Sequence, residues 1–309
     1  MRSTLFLHTL LHGLYLCSAQ WCYQSQYSCD YKCREPSQWY REFPVCGGQS
    51  QSPINIVTRK AQLNLSLTPV IFEGYSDVLN VTVQNIGYAA VFTLPSSVRI
   101  RGGGLPDTYK AVQFHLHWGL DAKPGSEHTV DGEQYPMELH ILHIKQNYNS
   151  LNEAMNDSTG VAVLAFLFEI SPEENKQFTK VIKVLEKVQC FGNISVIPEF
   201  RLTDILTSVE KLSSYYRYLG SLTTPGCFEN IIWTIFHQSL PIGYQQMVQL
   251  TQQMLFSTGK PMTDTFRPVQ NLNGRIVYKS MAGTYVFLSL VTLLLCLLFV
   301  FGLIKCTAT

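Results

Sequence analysis

The chain carries almost no net charge. Its 309 residues include 23 Lys and Arg against 22 Asp and Glu, which gives a formal charge of +1 at pH 7. A protein that binds a polyanion usually has a clear excess of basic residues on one face. We therefore expect no nucleic-acid partner.

Helical patterns are few, and no internal repeat, low-complexity stretch or interdomain linker occurs between about residues 22 and 279. One helix is predicted to begin at the Ser-Pro-Glu-Glu capping box of 171–174, and a second covers about 244–256. Because 46% of the residues are hydrophobic, the chain can build a large core. We expect one sheet-centred domain with these helices on its surface.

Strand-forming runs dominate the middle of the chain, and turn-forming residues at 102–104 and 123–125 separate some of them. The runs cover 78–84, 91–94, 98–101, 113–118, 137–143, 161–170, 215–219 and 231–236.

Two of these runs hold a cluster of histidines. Side chains alternate faces along a strand, so His115 and His117 share one face, and His140 shares a face with Glu138. If the strands pair with those faces aligned, the three imidazoles converge. Three neutral imidazoles with one tetrahedral position left open are typical of a catalytic zinc site. Gln113 and Glu138 each lie two residues before a histidine, where they can accept its free N–H.

The neighbouring histidines have other expected roles. His143 has the opposite parity and is predicted to lie in the core. His128 lies in the connection between the two strands, where a hydrogen-bonding loop residue is expected. His237 is isolated, and we interpret it as structural.

The N-terminus predicts secretion. Arg2, the apolar run 5–16 and the small residues at 18–19 form a signal peptide over residues 1–19. In a secreted protein, an even number of cysteines indicates disulfides, although six cysteines allow 15 pairings. The six between the signal peptide and the C-terminal apolar run are Cys22, Cys29, Cys33, Cys46, Cys190 and Cys227. Four glycosylation acceptors agree with this compartment: Asn64, Asn80, Asn156 and Asn193.

The C-terminus contains an uncharged apolar run at 284–304, which is ~31 Å long as a helix and can span a bilayer. Two interpretations stay open. Residues 281–309 form a removable signal for a glycosylphosphatidylinositol (GPI) anchor attached at Ser280, or 284–304 is a permanent transmembrane helix.

Several motifs together resemble one family. They include Gln-Ser-Pro-Ile-Asn-Ile at 51–56 and Ser-Leu-Thr-Thr-Pro at 221–225, with further matches at 113–119, 126–131, 138–140 and 266–268. Over about residues 21–280 the chain is similar to the α-class carbonic anhydrases. The resemblance implies an α+β single domain with a large, mostly antiparallel twisted central β-sheet and surface helices. It also implies zinc-dependent, reversible hydration of carbon dioxide to bicarbonate and a proton.

The resemblance assigns roles to residues. His115, His117 and His140 would bind zinc. Thr223 would orient the attacking hydroxide and pass its own proton to Glu127. The expected substrate contacts are Thr223, Thr224, Leu142, Val163, Leu222, Ile231 and Trp233.

Three further positions bear on the cleft, and two of them depart from the family pattern. Tyr88 stands where fast members of the family have a proton-shuttling histidine, and a phenol is a poor proton carrier at neutral pH. Leu142 is larger than the valine common there. Tyr23 matches a tyrosine that helps to order water in the family's cleft.

The resemblance to lipid-anchored extracellular members favours the GPI anchor and a location at the outer face of the plasma membrane. It implies disulfides Cys22–Cys33 and Cys46–Cys227, which leaves Cys29 and Cys190 either paired or free. A bicarbonate transporter fits as a neighbour of such an enzyme, although no residue identifies one.

Two rival functions differ from carbon dioxide hydration. A catalytically silent binding relative usually lacks a zinc histidine, whereas all three are present here. A zinc esterase is disfavoured because the cleft motifs contain no evident serine or cysteine nucleophile and no general acid.

Overall fold

The computed structural model describes residues 21–26, 33–206 and 212–281. The predicted signal peptide, the apolar run at 284–304 and Cys29 therefore lie outside the described residues. Within the described ranges, no helix is both long and apolar enough to cross a membrane.

The described residues form a sheet-dominated fold with short helices. The strands are β1 Asn55–Ile56, β2 Gln62–Leu63, β3 Val70–Glu73, β4 Leu79–Asn85, β5 Ala90–Thr93, β6 Arg99–Gly102, β7 Tyr109–Trp118, β8 Thr129–Val130, β9 Glu133–Gln134, β10 Met137–Lys145, β11 Val161–Ser171, β12 Ile194–Phe200, β13 Tyr215–Ser221, β14 Glu229–Phe236, β15 Leu240–Gly243 and β16 Tyr278–Lys279. The α-helices are α1 Leu151–Ala154, α2 Thr179–Leu185, α3 Leu202–Ile205 and α4 Tyr244–Gln253. Short 3₁₀ helices occupy Gln24–Gln26, Pro36–Arg41, Pro44–Gly47 and Thr58–Lys60.

One mixed sheet of 13 strands organises the domain, with the main order β12-β4-β5-β7-β10-β11-β14-β13-β16-β2. Most neighbours pair antiparallel, and β11–β14, β11–β15 and β16–β2 pair parallel. The predicted sheet-centred single domain, with most of its pairs antiparallel, is confirmed. All eight predicted strand runs correspond to strands of the sheet.

The predicted start of the first helix is wrong. Ser171 does not begin a helix, because it is the last residue of β11 and pairs with Gly243 of β15. The chain then turns at Asn175, whose side-chain oxygen accepts hydrogen bonds from the N–H groups of Gln177 and Phe178. The helix begins only at Thr179. The second predicted helix is confirmed as α4 and ends at Gln253.

The two faces of the central strands are buried in different ways. Phe114 of β7 stacks on Phe92 of β5, with ring centroids 4.3 Å apart, and on Phe200 of β12 at 5.8 Å. Leu139 and Ile141 of β10 lie in the same large apolar cluster. The apolar residues of β7 and β10 therefore fix the strands from one side, and the histidines are left on the other.

The domain contains one short-range and one long-range disulfide. Cys22–Cys33 closes the N-terminal segment, and Cys46–Cys227 joins residues separated by 181 positions. Both pairings implied by the family resemblance are present. Cys190 is exposed, and its sulfur forms no disulfide within the described part of the chain. The long-range Cys46–Cys227 bridge is expected to stabilise the fold by about 2–4 kcal/mol.

Candidate metal centre

The antiparallel pairing of β7 with β10 brings three imidazoles together. His140 lies directly opposite His115 in the register, and Glu138 lies opposite His117. The three ring centroids are separated by 4.7 to 5.3 Å. One nitrogen from each ring lies within 4.8 Å of the others, so the three can hold one metal ion. The convergence predicted from strand parity is therefore present in the fold.

Each of these rings is oriented through its other nitrogen. Nδ1 of His115 donates to Oε1 of Gln113 at 2.9 Å, and Nε2 of His140 donates to Oε1 of Glu138 at 2.7 Å. Nδ1 of His117 donates to the backbone carbonyl of Thr265 at 2.5 Å.

Nε2 of His117 is buried and has no hydrogen-bond partner within the described ranges. An orphaned buried nitrogen is costly, and a cation held by the three rings would satisfy it. The donor set therefore fits a metal ion with nitrogen ligands.

Burial keeps the three histidines neutral. It lowers the pKa of His117 to about 4, and together with the charges of the neighbouring histidines it holds the pKa of His115 well below the usual value. The pKa of His140 is also lowered, by burial, against the opposing influence of Glu138. Neutral imidazoles have the free lone pairs that metal ligation requires.

The carboxylate of Glu138 accepts four hydrogen bonds in a buried network. Its Oε2 accepts the backbone N–H groups of Glu127 and His128 at 2.8 and 2.7 Å, and its Oε1 accepts Nδ1 of His128 at 2.6 Å. Burial alone would raise the pKa of Glu138, but His128 and His140 hold it well below its usual range. Glu138 therefore stays ionised and holds His140 firmly.

His128 is a hydrogen-bonding loop residue, as predicted, but it is fully buried. The hydroxyl of Tyr218 donates to its Nε2 at 2.7 Å, and Ser52 in turn bonds Tyr218 at 2.7 Å. Tyr218 was not predicted, because nothing in the sequence near residue 128 indicates a partner 90 positions away. His128, Glu138 and His140 also lie close together, but they are engaged with one another.

His143 lies in the core, as its parity predicted. It is fully buried, and its Nε2 bonds the hydroxyl of Tyr75 at 2.8 Å. His237 is exposed and lies apart from the three clustered histidines.

Glu127 lies beside the three rings. Its Oε2 is 3.5 Å from Nε2 of His117, and its Oε1 accepts the backbone N–H of Arg267 at 2.8 Å. Burial raises the pKa of Glu127 to about 7, and the nearby Thr223 hydroxyl acts in the opposite direction. A cation at the histidine cluster would favour the ionised form of this carboxyl.

The loop that carries Thr223 is tied to the domain at several points. Ser221 accepts the N–H of Ser52 at 2.9 Å through its hydroxyl, and the Trp233 indole donates to the Ser221 carbonyl at 2.9 Å. The Cys46–Cys227 bridge closes the other end of the loop. Thr223 is buried, whereas Thr224 is half-buried.

The buried side chain of Arg267 also supports this loop. Its Nη2 donates to the carbonyl of Cys46 at 2.8 Å, and its Nη1 donates to Ser52 at 2.9 Å. In the sequence, Arg267 stands out only as part of the motif at 266–268. Its burial could not be predicted, because its partners are mainly backbone carbonyls of distant residues, which leave no pattern in the sequence.

The predicted apolar wall forms one cluster on the histidine side of the sheet. Leu142 pairs with Gln113 on one neighbouring strand and with Val163 on the other. Val163 pairs in turn with Trp233, whose ring centroid is 4.8 Å from that of His140. Ile231 belongs to the same buried cluster, and Leu222 packs against it.

Two tyrosines lie next to Trp21. Its ring contacts Tyr88 with a centroid separation of 4.8 Å and Tyr23 at 5.5 Å. Burial raises the pKa of both phenols, and the proximity of Glu127 and Tyr88 raises that of Tyr23 further. Both phenols therefore remain protonated at neutral pH.

The predicted glycosylation sites and the predicted anchor site differ in how exposed they are. Asn80, Asn156 and Asn193 are exposed, and Asn64 is half-buried. Ser280 is only 8% exposed; its hydroxyl accepts the N–H of Tyr215 at 3.0 Å and donates to the Ser213 carbonyl at 3.1 Å.

Comparison with known proteins agrees with this geometry. The family model of eukaryotic-type carbonic anhydrases matches residues 34–281. Carbonic anhydrase 4 of Oryctolagus cuniculus is 39% identical over 277 residues, which are 89% of both chains. Carbonic anhydrase 15 of Mus musculus is 38% identical over 85% of this chain and 84% of its own. Carbonic anhydrase 12 of Homo sapiens is 37% identical over 81% of this chain and 72% of its own. The chain therefore belongs to the carbonic anhydrase family and is an enzyme of the carbonate dehydratase class.

Proposed function

We propose that this chain hydrates carbon dioxide at a zinc ion held by His115, His117 and His140, and that it acts at the outer surface of the plasma membrane. The observation that carries the proposal is the convergence of three neutral ring nitrogens within 4.8 Å of one another. Zinc in such a site acts as a Lewis acid that makes a bound water acidic near neutral pH, as is known for carbonic anhydrase itself.

The chain's own residues supply the rest of the reaction. Gln113, Glu138 and the Thr265 carbonyl fix the imidazole rings, so that their free nitrogens need no reorganisation to accept the ion. Thr223 and Glu127 form the polar side of the site. With the metal bound, the Thr223 hydroxyl would donate a hydrogen bond to Glu127 and accept one from the nucleophile, which would orient it, and the backbone N–H of Thr223 would contact a substrate oxygen.

The apolar side holds the substrate. Carbon dioxide has almost nothing to hydrogen-bond, so an apolar surface can keep it near the nucleophile without competing for the ion. Leu142, Val163 and Trp233 supply that surface next to His140. Leu222, Ile231 and Thr224 complete the rim of the proposed substrate site.

The proposed location rests on the sequence and on relatives. Carbonic anhydrase 4 appears among the similar proteins from three mammals. The last strand of the described residues, β16, lies between β13 and β2 next to Ser280, and GPI attachment at Ser280 would put the lipid beside this end of the sheet. Such an enzyme would exchange bicarbonate with a neighbouring transporter. Release of activity from intact cells by a phosphatidylinositol-specific phospholipase tests the anchor, and retention would favour the transmembrane helix.

One experiment tests the chemistry. The purified protein is assayed by stopped-flow carbon dioxide hydration as isolated, after zinc removal with a chelator, and after zinc is added back. We expect about one zinc per chain, loss of activity on removal and recovery on addition. Folded, zinc-loaded protein that does not hydrate carbon dioxide would contradict the proposal and would favour a silent binding relative.

A further inference from the structure

A second concave site lies on the other side of the sheet from the histidines. Side chains alternate along β13, so Arg217 faces away from the side that Tyr218 shares with Trp233. Arg217 lines a cavity of about 600 Å³. The apolar residues around that cavity include Leu67, Pro106, Leu219, Ile232 and Ile276.

The guanidinium of Arg217 is poorly satisfied. The residue is 7% exposed, and its Nε donates to Oγ1 of Thr234 at 3.1 Å. Its Nη2 is buried without a hydrogen-bond partner, and no ion pair joins Arg217 to an acidic side chain in the described residues. The nearest aromatic face is that of Tyr215, with its centroid 5.4 Å from the guanidinium carbon.

A buried cation without a counter-charge is unfavourable. Fixed charges inside proteins are normally paired or hydrogen-bonded, and each unsatisfied buried donor calls for an explanation. The lining of this cavity contains a second arginine, Arg275, and no Asp or Glu. Arg275 donates to backbone carbonyls, those of Gln51 and Leu219 among them, so it adds positive charge to the cavity and no acceptor.

We propose that this cavity binds a small monoanion with an apolar body, such as a carboxylate on a medium-length hydrocarbon chain, with the anionic head on Arg217. Because Nε already donates to Thr234 and Nη2 is buried, a carboxylate in the cavity would accept from Nη1, and its charge would balance that of the guanidinium. The apolar walls and the size suit the remainder of the ligand, because pockets of ~300–1,000 Å³ typically enclose small organic molecules. Tyr218, which bonds His128, also lines this cavity, but none of the residues of the proposed carbon dioxide site does.

Decanoate is the probe, and decanol is the matched neutral compound. Asn64 lines the cavity and is a glycosylation acceptor, so the full extracellular protein is first treated with an N-glycosidase. Binding is measured by isothermal titration calorimetry below the concentration at which decanoate forms micelles. We expect saturable binding of one decanoate per chain and at least ~10-fold weaker binding of decanol.

Two pairs of variants decide the role of Arg217. Arg217→Gln should weaken decanoate at least ~10-fold and leave carbon dioxide hydration unchanged, whereas Arg201→Gln, at an exposed arginine elsewhere, should change neither. Leu219 is 52% exposed, so it tolerates substitution even if Arg217→Gln fails to fold. Leu219→Glu would place a carboxylate at the cavity mouth and should abolish decanoate binding, whereas Leu219→Gln should retain it. Equal binding of decanoate and decanol, or equal binding by the Glu and Gln variants, would overturn the proposal.

Discussion

The two faces of β7 and β10 differ sharply, although alternate residues of the same strands form them. One face packs Phe114 on Phe92 and Phe200 in a continuous apolar core. The other face holds His115, His117 and their hydrogen-bond partners, and it leaves a buried ring nitrogen without a partner. The apolar face supplies stability, and this allows the polar face to keep groups in an arrangement that would be unfavourable by itself.

Function and stability should therefore separate experimentally between the two faces of these strands. Substitutions on the histidine face should change metal binding and activity more than folding. Substitutions on the opposite face should change the free energy of unfolding and leave the metal site intact in molecules that remain folded.

The largest expected effect comes from His117→Ala. Loss of one of three ligands should reduce zinc content to a small fraction of one per chain. Because metal-assisted activation contributes several kcal/mol to catalysis, carbon dioxide hydration should fall at least ~10³-fold. Zinc analysis and stopped-flow assays measure both. His237→Ala, at the exposed histidine, is the control and should behave like the wild type. A His117→Ala protein with full zinc content and activity would break the assignment of the polar face.

The next effect tests the opposite face. Phe114→Ala removes a fully buried ring and should lower the free energy of unfolding by about 3–5 kcal/mol. The midpoint of urea unfolding measures this change, and the zinc content of the folded fraction should remain near one per chain. Phe191→Ala provides a matched control. Because Phe191 is 58% exposed, its replacement should lower the free energy of unfolding only slightly. Zinc loss in folded Phe114→Ala protein would show that the two faces are not separable.

Much of the polar face could be predicted because it is local. His115, His117 and His140 follow from alternation along two strands, as do their acceptors Gln113 and Glu138, which lie two residues away. The location of His143 in the core followed from the same rule.

What could not be predicted depends on contacts between distant segments. The acceptor for His117 is the backbone carbonyl of Thr265, and a backbone group leaves no mark in the sequence. Tyr218 reaches His128 from another strand. The first helix was placed too early because a capping box at 171–174 is a local signal, and the pairing of Ser171 with Gly243 overrides it.

Glu138→Gln tests whether the carboxylate behind His140 contributes to zinc affinity. The amide can accept fewer of the four N–H groups that converge on the carboxylate, and it no longer offers a charge to His140. Loss of such a partner behind a metal ligand typically lowers affinity ~10–100-fold. Competition with a fluorescent zinc chelator measures the change. Glu133→Gln on β9, at an exposed glutamate, should leave zinc affinity unaltered. If both variants bind zinc equally, the hydrogen bond to His140 does not position the ligand.

The smallest effect concerns Tyr88, which is half-buried beside Trp21 and packs against the large apolar cluster. Burial raises the pKa of Tyr88 above its ordinary value near 10, so the phenol stays protonated through the neutral range and becomes ionised only at strongly alkaline pH. A group that cannot release its proton at pH 7 cannot pass one on, and proton export should therefore limit turnover.

We expect turnover to rise with imidazole buffer in the wild type. Tyr88→His should raise turnover in dilute buffer about 10-fold and reduce the dependence on imidazole, because a histidine titrates near neutral pH. Tyr88→Phe removes the hydroxyl and keeps the ring, so it should match the wild type. High turnover that is indifferent to buffer in all three proteins would show that protons leave by a route that does not involve residue 88.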